Sequence, residues 1–539
     1  MTDIEIPLGK RTRFYRFFEI LPAVLSYGAI ILLFVLAIFA PIVGAIFILC
    51  IVLAMFVKAI AMAYRTIQGY SSYKKTSQLD WSKRLGDLSY PKQSLGEVLK
   101  LDKNKYGIKH HIANLERIIA NPNDYPVPDD IHHAVFVFVY KESYEVVQPT
   151  IEALIGGNYD PKRMYLVFAY EARGGKATKS TVDRLKKEYS SQFADVLSYE
   201  HPDGLPDEVI GKGPNATYAG REFEKYAKTN KLKPENIIVT TLDADNRVDR
   251  NYFPYLTYEW IVNLKRQKVS FQPICLFTNN IWDVPAPMRV MAVGNSFWNV
   301  ISSMRPHLLR NFASHAQGLQ ALIDMDFWSK RTIVEDGHQY WRSYFFFDGD
   351  YSVIPLRVAV GQDAVLSDTY KKSLLAQFIQ VRRWAYGASD ISYVANQIRK
   401  RNEKTKFWPA FARWIRLLDS HITQAAIAPI IAFGGWVPLL INPESSRYLV
   451  VHELPMAIGM IQQIAMIGIF ITVFTSLAML PPRPSRYSKK RNLSMITQWL
   501  LMPVTSICYA SAAAYYSQTR LLLAKYFTVF ETTDKNTQR

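Results

Sequence analysis

The stretch NIIVTTLDAD, residues 236–245, is apolar and β-branched without alternation until it ends in two carboxylates, Asp243 and Asp245. An unbroken apolar run of this length reads as a strand covered on both faces, the habit of parallel sheets. Two further runs of the same kind, HHAVFVFVY (132–140) and RMYLVFAY (163–170), precede it, and helical patterns follow near 143–156, 178–189 and 214–229. Strands alternating with helices predict an α/β, Rossmann-like domain with a largely parallel sheet. Its bounds are set at 130–370.

Outward from this domain the composition changes. Across all 539 residues the chain is 49% hydrophobic and carries 20% charged residues, and the mean hydropathy of −0.03 hides very apolar ends. Residues 20–39 and 41–63, divided by Pro41, are each close to the roughly 20 residues that cross a bilayer as a helix. They predict a transmembrane hairpin over 20–64, behind a tail at 1–19. A cleaved signal peptide would have a shorter apolar core and no second span. Further spans are expected at 419–441, 455–480 and 494–516, within a C-terminal membrane region over 419–525, the last of them, with Pro503, open to the alternative of a re-entrant or interfacial element. A linker region (65–129) and a C-terminal tail (526–539) complete the division.

The net charge is +18. Its basic residues crowd beside the apolar runs, at Lys10, Arg11, Arg13 and Arg16, at Lys74 and Lys75, and from Arg483 to Arg491. That placement suits a membrane surface and argues against nucleic acid as the partner. The loop 481–493 holds five basic residues and no acid, so it is expected in the cytosol together with the N-terminus and the α/β domain, as in a multi-pass protein of the cell membrane. Residues 371–418 combine basic residues with Trp384, Phe407, Trp408, Phe411 and Trp414, and are read as interfacial helices. Cys50, Cys275 and Cys508 are too scattered for a disulfide framework or a zinc site.

The chemistry is carried by acids and by one basic-aromatic cluster. Asp243 and Asp245 stand at the carboxyl end of a strand, where open α/β sheets bind ligands, and two carboxylates so close call for a hard divalent cation such as Mg²⁺ or Mn²⁺. A lone DxD would sooner read as an acidic turn or a helix cap after a strand. Downstream, TIVEDGHQYW (332–341) places Glu335 and Asp336 at a helix start, where an acid is favoured by the dipole and Asp336 could serve as a general base. In QVRRW (380–384), Gln380, Arg383 and Trp384 share one helix face and offer an amide, a diphosphate-binding guanidinium and a flat ring for a sugar. Lys212, in GKGPNATYA (211–219), precedes a helix and suits phosphate oxygens.

A DxD after a buried strand, an ED downstream and QxxRW before a membrane span resembles the polytopic family 2 glycosyltransferases, the cellulose synthase and hyaluronan synthase type. The resemblance covers about residues 130–420. It implies a GT-A domain in which Asp243 and Asp245 meet the metal and donor diphosphate and Asp336 is the base. Gln380, Arg383 and Trp384 would then stand at the acceptor and pyrophosphate, with Glu335 beside the acceptor. Lys212 and Asn215 look like the loop near the nucleotide, Glu142 in VYKES sits where that family places an acid, and Glu171 in AYEAR stands where it usually carries an aspartate. The donor implied is a UDP- or GDP-sugar, and the acceptor a growing polysaccharide. A single transfer to a lipid, or a silent nucleotide-sugar-binding membrane protein, are the alternatives.

Overall fold

The computed structural model describes residues 4–532, so the last seven residues of the tail expected at 526–539 lie outside it, as do the side chains of residues 466, 467, 469, 470 and 472. The three strands read from the sequence form as β1 (His132–Val139), β2 (Met164–Glu171) and β4 (Ile237–Asp243). They join β3 (Asp195–His201), β5 (Arg247–Val248), β6 (Val269–Leu276), β7 (Ala316–Gly318) and β8 (Ser352–Gly361). Among the described residues these form one eight-stranded sheet in the order β3-β2-β1-β4-β7-β6-β8-β5. Its first four strands are parallel, β7 is antiparallel to β4 and β6, and β6 runs parallel to β8. This mixed sheet, with helices on both faces, forms an α/β domain set between apolar helices.

Both faces of the parallel half are buried, which is why its strands carry no alternation. On one side Val135, Val137, Leu166 and Phe168 pack with Val147, Ile151 and Leu154 of the Tyr144–Ile155 helix. On the other, Phe136, Val167 and Val239 pack with Ala216, Ala219 and Phe223 of the Lys212–Thr229 helix. The short crossovers leave all of the parallel strands' carboxyl ends on one edge, and Asp243 ends β4 there.

Among the described residues three helices are long and apolar enough to cross a membrane: Arg13–Phe39, Pro41–Ser77 and Lys490–Leu522. The first two are divided at Ala40 and Pro41, where proline opens the second helix at a position whose N–H needs no partner. The third contains a 3₁₀ stretch and a π-helical one, Ser506–Ser511. The segment expected to span at 419–441 belongs to a helix that begins earlier, Phe407–Phe433, and ends at the Gly434–Gly435 pair before a short Val437–Ile441 helix. Between 407 and 419 there is no capping signal, so the aromatic-basic stretch and the apolar one form a single rod. The helix Leu454–Met479 matches the expected 455–480 to within one residue at each end.

Chain ends tie the two regions together. Ile4 and Ile6 are buried, Arg342 donates to Glu5 Oε2 at 2.6 Å, and the Tyr393 hydroxyl donates to the Ile4 carbonyl at 2.7 Å. At the other end, Ile210 N–H donates to Thr528 O at 2.8 Å and Phe530 N–H to Ile210 O at 2.7 Å, adding the tail as a bridge beside the Lys212 loop.

Candidate functional site

The Asp243–Asp245 turn is clamped by its neighbours. The Asp243 N–H donates to Asn246 Oδ1 at 3.0 Å, and the Ser314 hydroxyl donates to the same oxygen at 2.7 Å. The buried Asp245 accepts from the Asp363 N–H at 2.8 Å, a residue just past β8. The two carboxylates therefore sit on the wall of a cavity of about 410 Å³ at the sheet edge.

Opposite them, Glu335 and Asp336 open the Glu335–Phe346 helix. Lys212 joins the two acidic groups. Its Nζ lies 3.0 Å from Asp243 Oδ1, 3.0 Å from Asp336 Oδ2 and 3.8 Å from Glu335 Oε1. The helix start approaches this closely because Gly213 has no side chain: a Cβ there would lie 2.5 Å from the Ser329 carbonyl and 3.1 Å from Glu335 Cβ. Burial opposes the charge on Lys212, yet Asp243, Asp336 and Glu335 outweigh it and hold the ammonium above its ordinary range. For Glu335, burial and the neighbouring Asp336 raise the carboxyl well above the usual range against the pull of Lys212, so it favours the protonated form.

The QxxRW residues lie on the Tyr370–Ala385 helix. Gln380, Arg383 and Trp384 line the same cavity as Asp243, Asp245, Glu335 and Asp336. Trp384 is 37% exposed, its indole open to that space, with Phe277 at a ring distance of 6.3 Å. Arg383 is capped by the C-terminal segment: its guanidinium lies 3.8 Å from the Phe530 ring and donates to the Glu531 carbonyl at 2.7 Å. Burial lowers its pKa, opposed by Glu335, Asp243 and Asp336.

A smaller adjoining chamber of about 90 Å³ gathers the remaining expected residues. Glu142, Glu171, Lys212, Asn215 and Asp243 line it, with Arg383 and Phe530 at its border with the larger cavity. Glu142 accepts the N–H groups of Tyr140 and Lys141 at 2.7 and 3.2 Å, so its carboxylate braces its own loop. Glu171 is paired with Arg173. Asn215 donates to the Ala169 carbonyl at 3.0 Å, while its buried Oδ1 has no partner among the described residues.

Several side chains at this site carry no sequence signal. His315 brings Nδ1 to 3.6 Å from Asp336 Oδ1; the same nitrogen donates to the Phe312 carbonyl at 2.9 Å, and Trp328 Nε1 faces Nε2 at 3.4 Å. Burial lowers the His315 pKa, so the imidazole is neutral. The far wall of the large cavity is amide and aromatic: Asn295, Trp298 and Asn299 from the Ala286–Ser303 helix, with His421 and Gln424 from Phe407–Phe433. His338, following Asp336, turns away from the acids and pairs with Asp390 at 2.6 Å.

No family model and no curated protein matches the chain. Among solved structures it is similar to the mannosyltransferase PcManGT from Pyrobaculum calidifontis in complex with GDP-Man and Mn²⁺, at 14% identity over 86% of this chain and 100% of that one, with a TM-score of 0.41. It is also similar to S. aureus TarS 1–349 with UDP-GlcNAc, at 10% identity over 74% and 93% and a TM-score of 0.33. A third is GalNAc-T7 with UDP, GalNAc and Mn²⁺, at 11% identity over 55% and 58% and a TM-score of 0.32. At these identities no residue role passes from them to this chain.

Among the described residues no three His, Cys, Asp or Glu side chains are grouped as a protein-only metal site. The pair Asp243 and Asp245 on the cavity wall fits a different arrangement, in which a hard divalent ion takes carboxylate oxygens on one side and ligand diphosphate oxygens on the other.

Proposed function

We propose that the protein is a membrane glycosyltransferase of the family 2 polytopic type, moving a sugar from a nucleotide-sugar donor to a growing polysaccharide with inversion at the anomeric carbon. One observation supports this above the others: Lys212 pairs with both Asp243 and Asp336, while Arg383 and Trp384 line the cavity those acids share. Three clusters distant in sequence thus meet at one place.

In this reading the nucleoside occupies the smaller chamber. Glu171, held by Arg173, faces the base, and the free Asn215 Oδ1 accepts from the donor. Asp243 and Asp245 would hold Mg²⁺ or Mn²⁺, which supplies countercharge to the diphosphate when bound. Lys212 and Arg383 add fixed positive charge where the leaving group develops its negative charge. As Lys212 turns toward the diphosphate it releases Asp336, which takes the proton from the acceptor hydroxyl. That oxygen forms the new bond to the anomeric carbon, and the bond to the diphosphate breaks with its electron pair leaving on the nucleotide.

Gln380, Trp384 and the protonated Glu335 are assigned to the acceptor sugar. The amide and aromatic wall beyond Trp384 offers hydrogen bonds and flat surfaces to a hydroxyl-rich chain, which favours a glycan over a lipid tail in that space. The spans carry the α/β domain on the cytosolic side of the cell membrane.

The test is purified protein in detergent, a panel of UDP- and GDP-sugars, and release of nucleoside diphosphate with and without a chelator. The expected result is release from one donor class, lost on chelation and restored by Mg²⁺ or Mn²⁺. Long radiolabelled chains on gels support the polysaccharide reading; a single labelled lipid product refutes it. Absence of release from every donor would leave only a binding protein.

A further inference from the structure

Outside the catalytic cavity, three arginines from separate elements converge beside the apolar helices. Arg65 belongs to Pro41–Ser77, Arg305 follows the C-cap of Ala286–Ser303, and Arg416 belongs to Phe407–Phe433. Helix packing sets their approach. One turn beyond Arg65, Gly69 lies against the end of the Ala286–Ser303 helix so closely that a Cβ would stand 2.5 Å from Val300 Cγ1 and 3.3 Å from Met304 Cγ. Two turns before Arg65, Lys58 Nζ reaches Asp419 Oδ2 at 4.0 Å, and Arg416 stands one turn before Asp419 on the same face.

None of the three has a carboxylate within ion-pair distance among the described residues. Burial works against the charge on Arg305, and the two charges that act on it, Arg65 and Arg416, are both of its own sign. Arg16, Arg163 and Arg342, by contrast, each meet a carboxylate, at Glu19, Asp129 and Glu5. Three like charges held together by packing need an anion to offset them.

Their position says where that anion lies. The apolar run of Pro41–Ser77 ends at residue 63, two residues before Arg65, and the apolar end of Phe407–Phe433 begins after Arg416 and Asp419. This is the level at which lipid phosphates stand, and a guanidinium fork matches phosphate oxygens. We propose that Arg65, Arg305 and Arg416 form a phosphate-binding site at the lipid boundary, filled by the headgroup of an anionic phospholipid. The same chemistry would accept free phosphate, so the experiment separates the two sources.

Full-length protein in detergent is mixed with phosphatidylglycerol or phosphatidylcholine, and retained lipid is counted by native mass spectrometry. Wild type is expected to retain phosphatidylglycerol. Arg65→Gln, Arg305→Gln and Arg416→Gln should each weaken retention roughly fivefold, with turnover in phosphatidylcholine unchanged. The exposed Arg416→Gln guards against loss of folding as the cause, and Arg305→Lys should keep most of the effect. In parallel, inorganic phosphate is titrated against thermal unfolding without anionic lipid. A millimolar phosphate shift in wild type that the variants lack, without phosphatidylglycerol retention, supports the site with a soluble ligand. Equal phosphatidylglycerol retention in wild type and all three variants, with no difference in their response to phosphate, overturns the proposal, and leaves the donor-turnover reading untouched.

Discussion

Lys212→Met tests the centre of the site most directly. The substitution keeps the length of the side chain and removes the ammonium that lies 3.0 Å from both Asp243 and Asp336 and 3.8 Å from Glu335. At an effective dielectric of about 20, each of the shorter contacts contributes about 5 kcal/mol of Coulomb attraction. Much of that is offset by the cost of burying the ammonium, and the net loss on breaking a buried cluster is about 3–5 kcal/mol. Two carboxylates would then face each other without a cation. We therefore expect Lys212→Met to unfold at lower temperature than wild type in detergent, and donor turnover to fall by about 10²–10³ through lost stabilisation of the leaving group.

The double variant Lys212→Met/Asp336→Asn separates this from a simple packing defect. Removing one of the facing anions should restore much of the thermal stability while leaving turnover absent, a non-additivity that only a charge partnership produces. Lys212→Arg, which retains the charge, should be more stable than Lys212→Met. If Lys212→Met matches wild type in melting temperature and retains at least half its turnover, the bridge has no energetic weight and the assembly of the site around it is wrong.

Asp336→Asn alone should leave donor binding, read by protection from thermal unfolding, close to wild type and reduce turnover by about 10²–10⁴, the usual contribution of a general base; near-normal transfer removes Asp336 from that role. Trp384→Ala should raise the acceptor KM roughly three- to tenfold with little change in donor KM, because stacking on the indole is lost; an effect confined to donor KM would move Trp384 to the other substrate. Glu259, inside the α/β domain, gives the pH test. Burial pushes its carboxyl up to about 7 from 4.5, against the pull of Arg357 and Arg84. The folded state thus favours the protonated form, so this stabilisation is complete below pH 4.5 and lost as pH rises through 7, by roughly 3 kcal/mol. Glu259→Gln should flatten that part of the melting-temperature profile; an unchanged slope would refute the assignment.

The parallel half of the sheet was legible because its strands are buried on both faces, and burial writes itself into sequence as unbroken apolar runs: β1, β2 and β4 begin and end within two residues of the runs that announce them. The second half was not. The three-residue β7 and the two-residue β5 are held by pairing with neighbours rather than by any pattern of their own. The helix boundaries near 407–441 escaped for a related reason, since a change from aromatic-basic to apolar composition does not stop a helix.

At the site, residue types at motif spacing were enough to single out Asp243, Asp245, Asp336, Gln380, Arg383 and Trp384, because DxD, ED and QxxRW each place chemically distinctive groups on a short element. Their convergence is a property of the fold. Lys212 meets Asp336 across 124 residues, and His315, Asn215 Oδ1 and the Phe530 cap on Arg383 acquire meaning only through what stands opposite them. Local sequence sets which atoms can donate, accept or carry charge; the pairing of distant atoms at 3 Å depends on how the sheet edge, the helix ends and the chain terminus pack, and no local pattern encodes that distance.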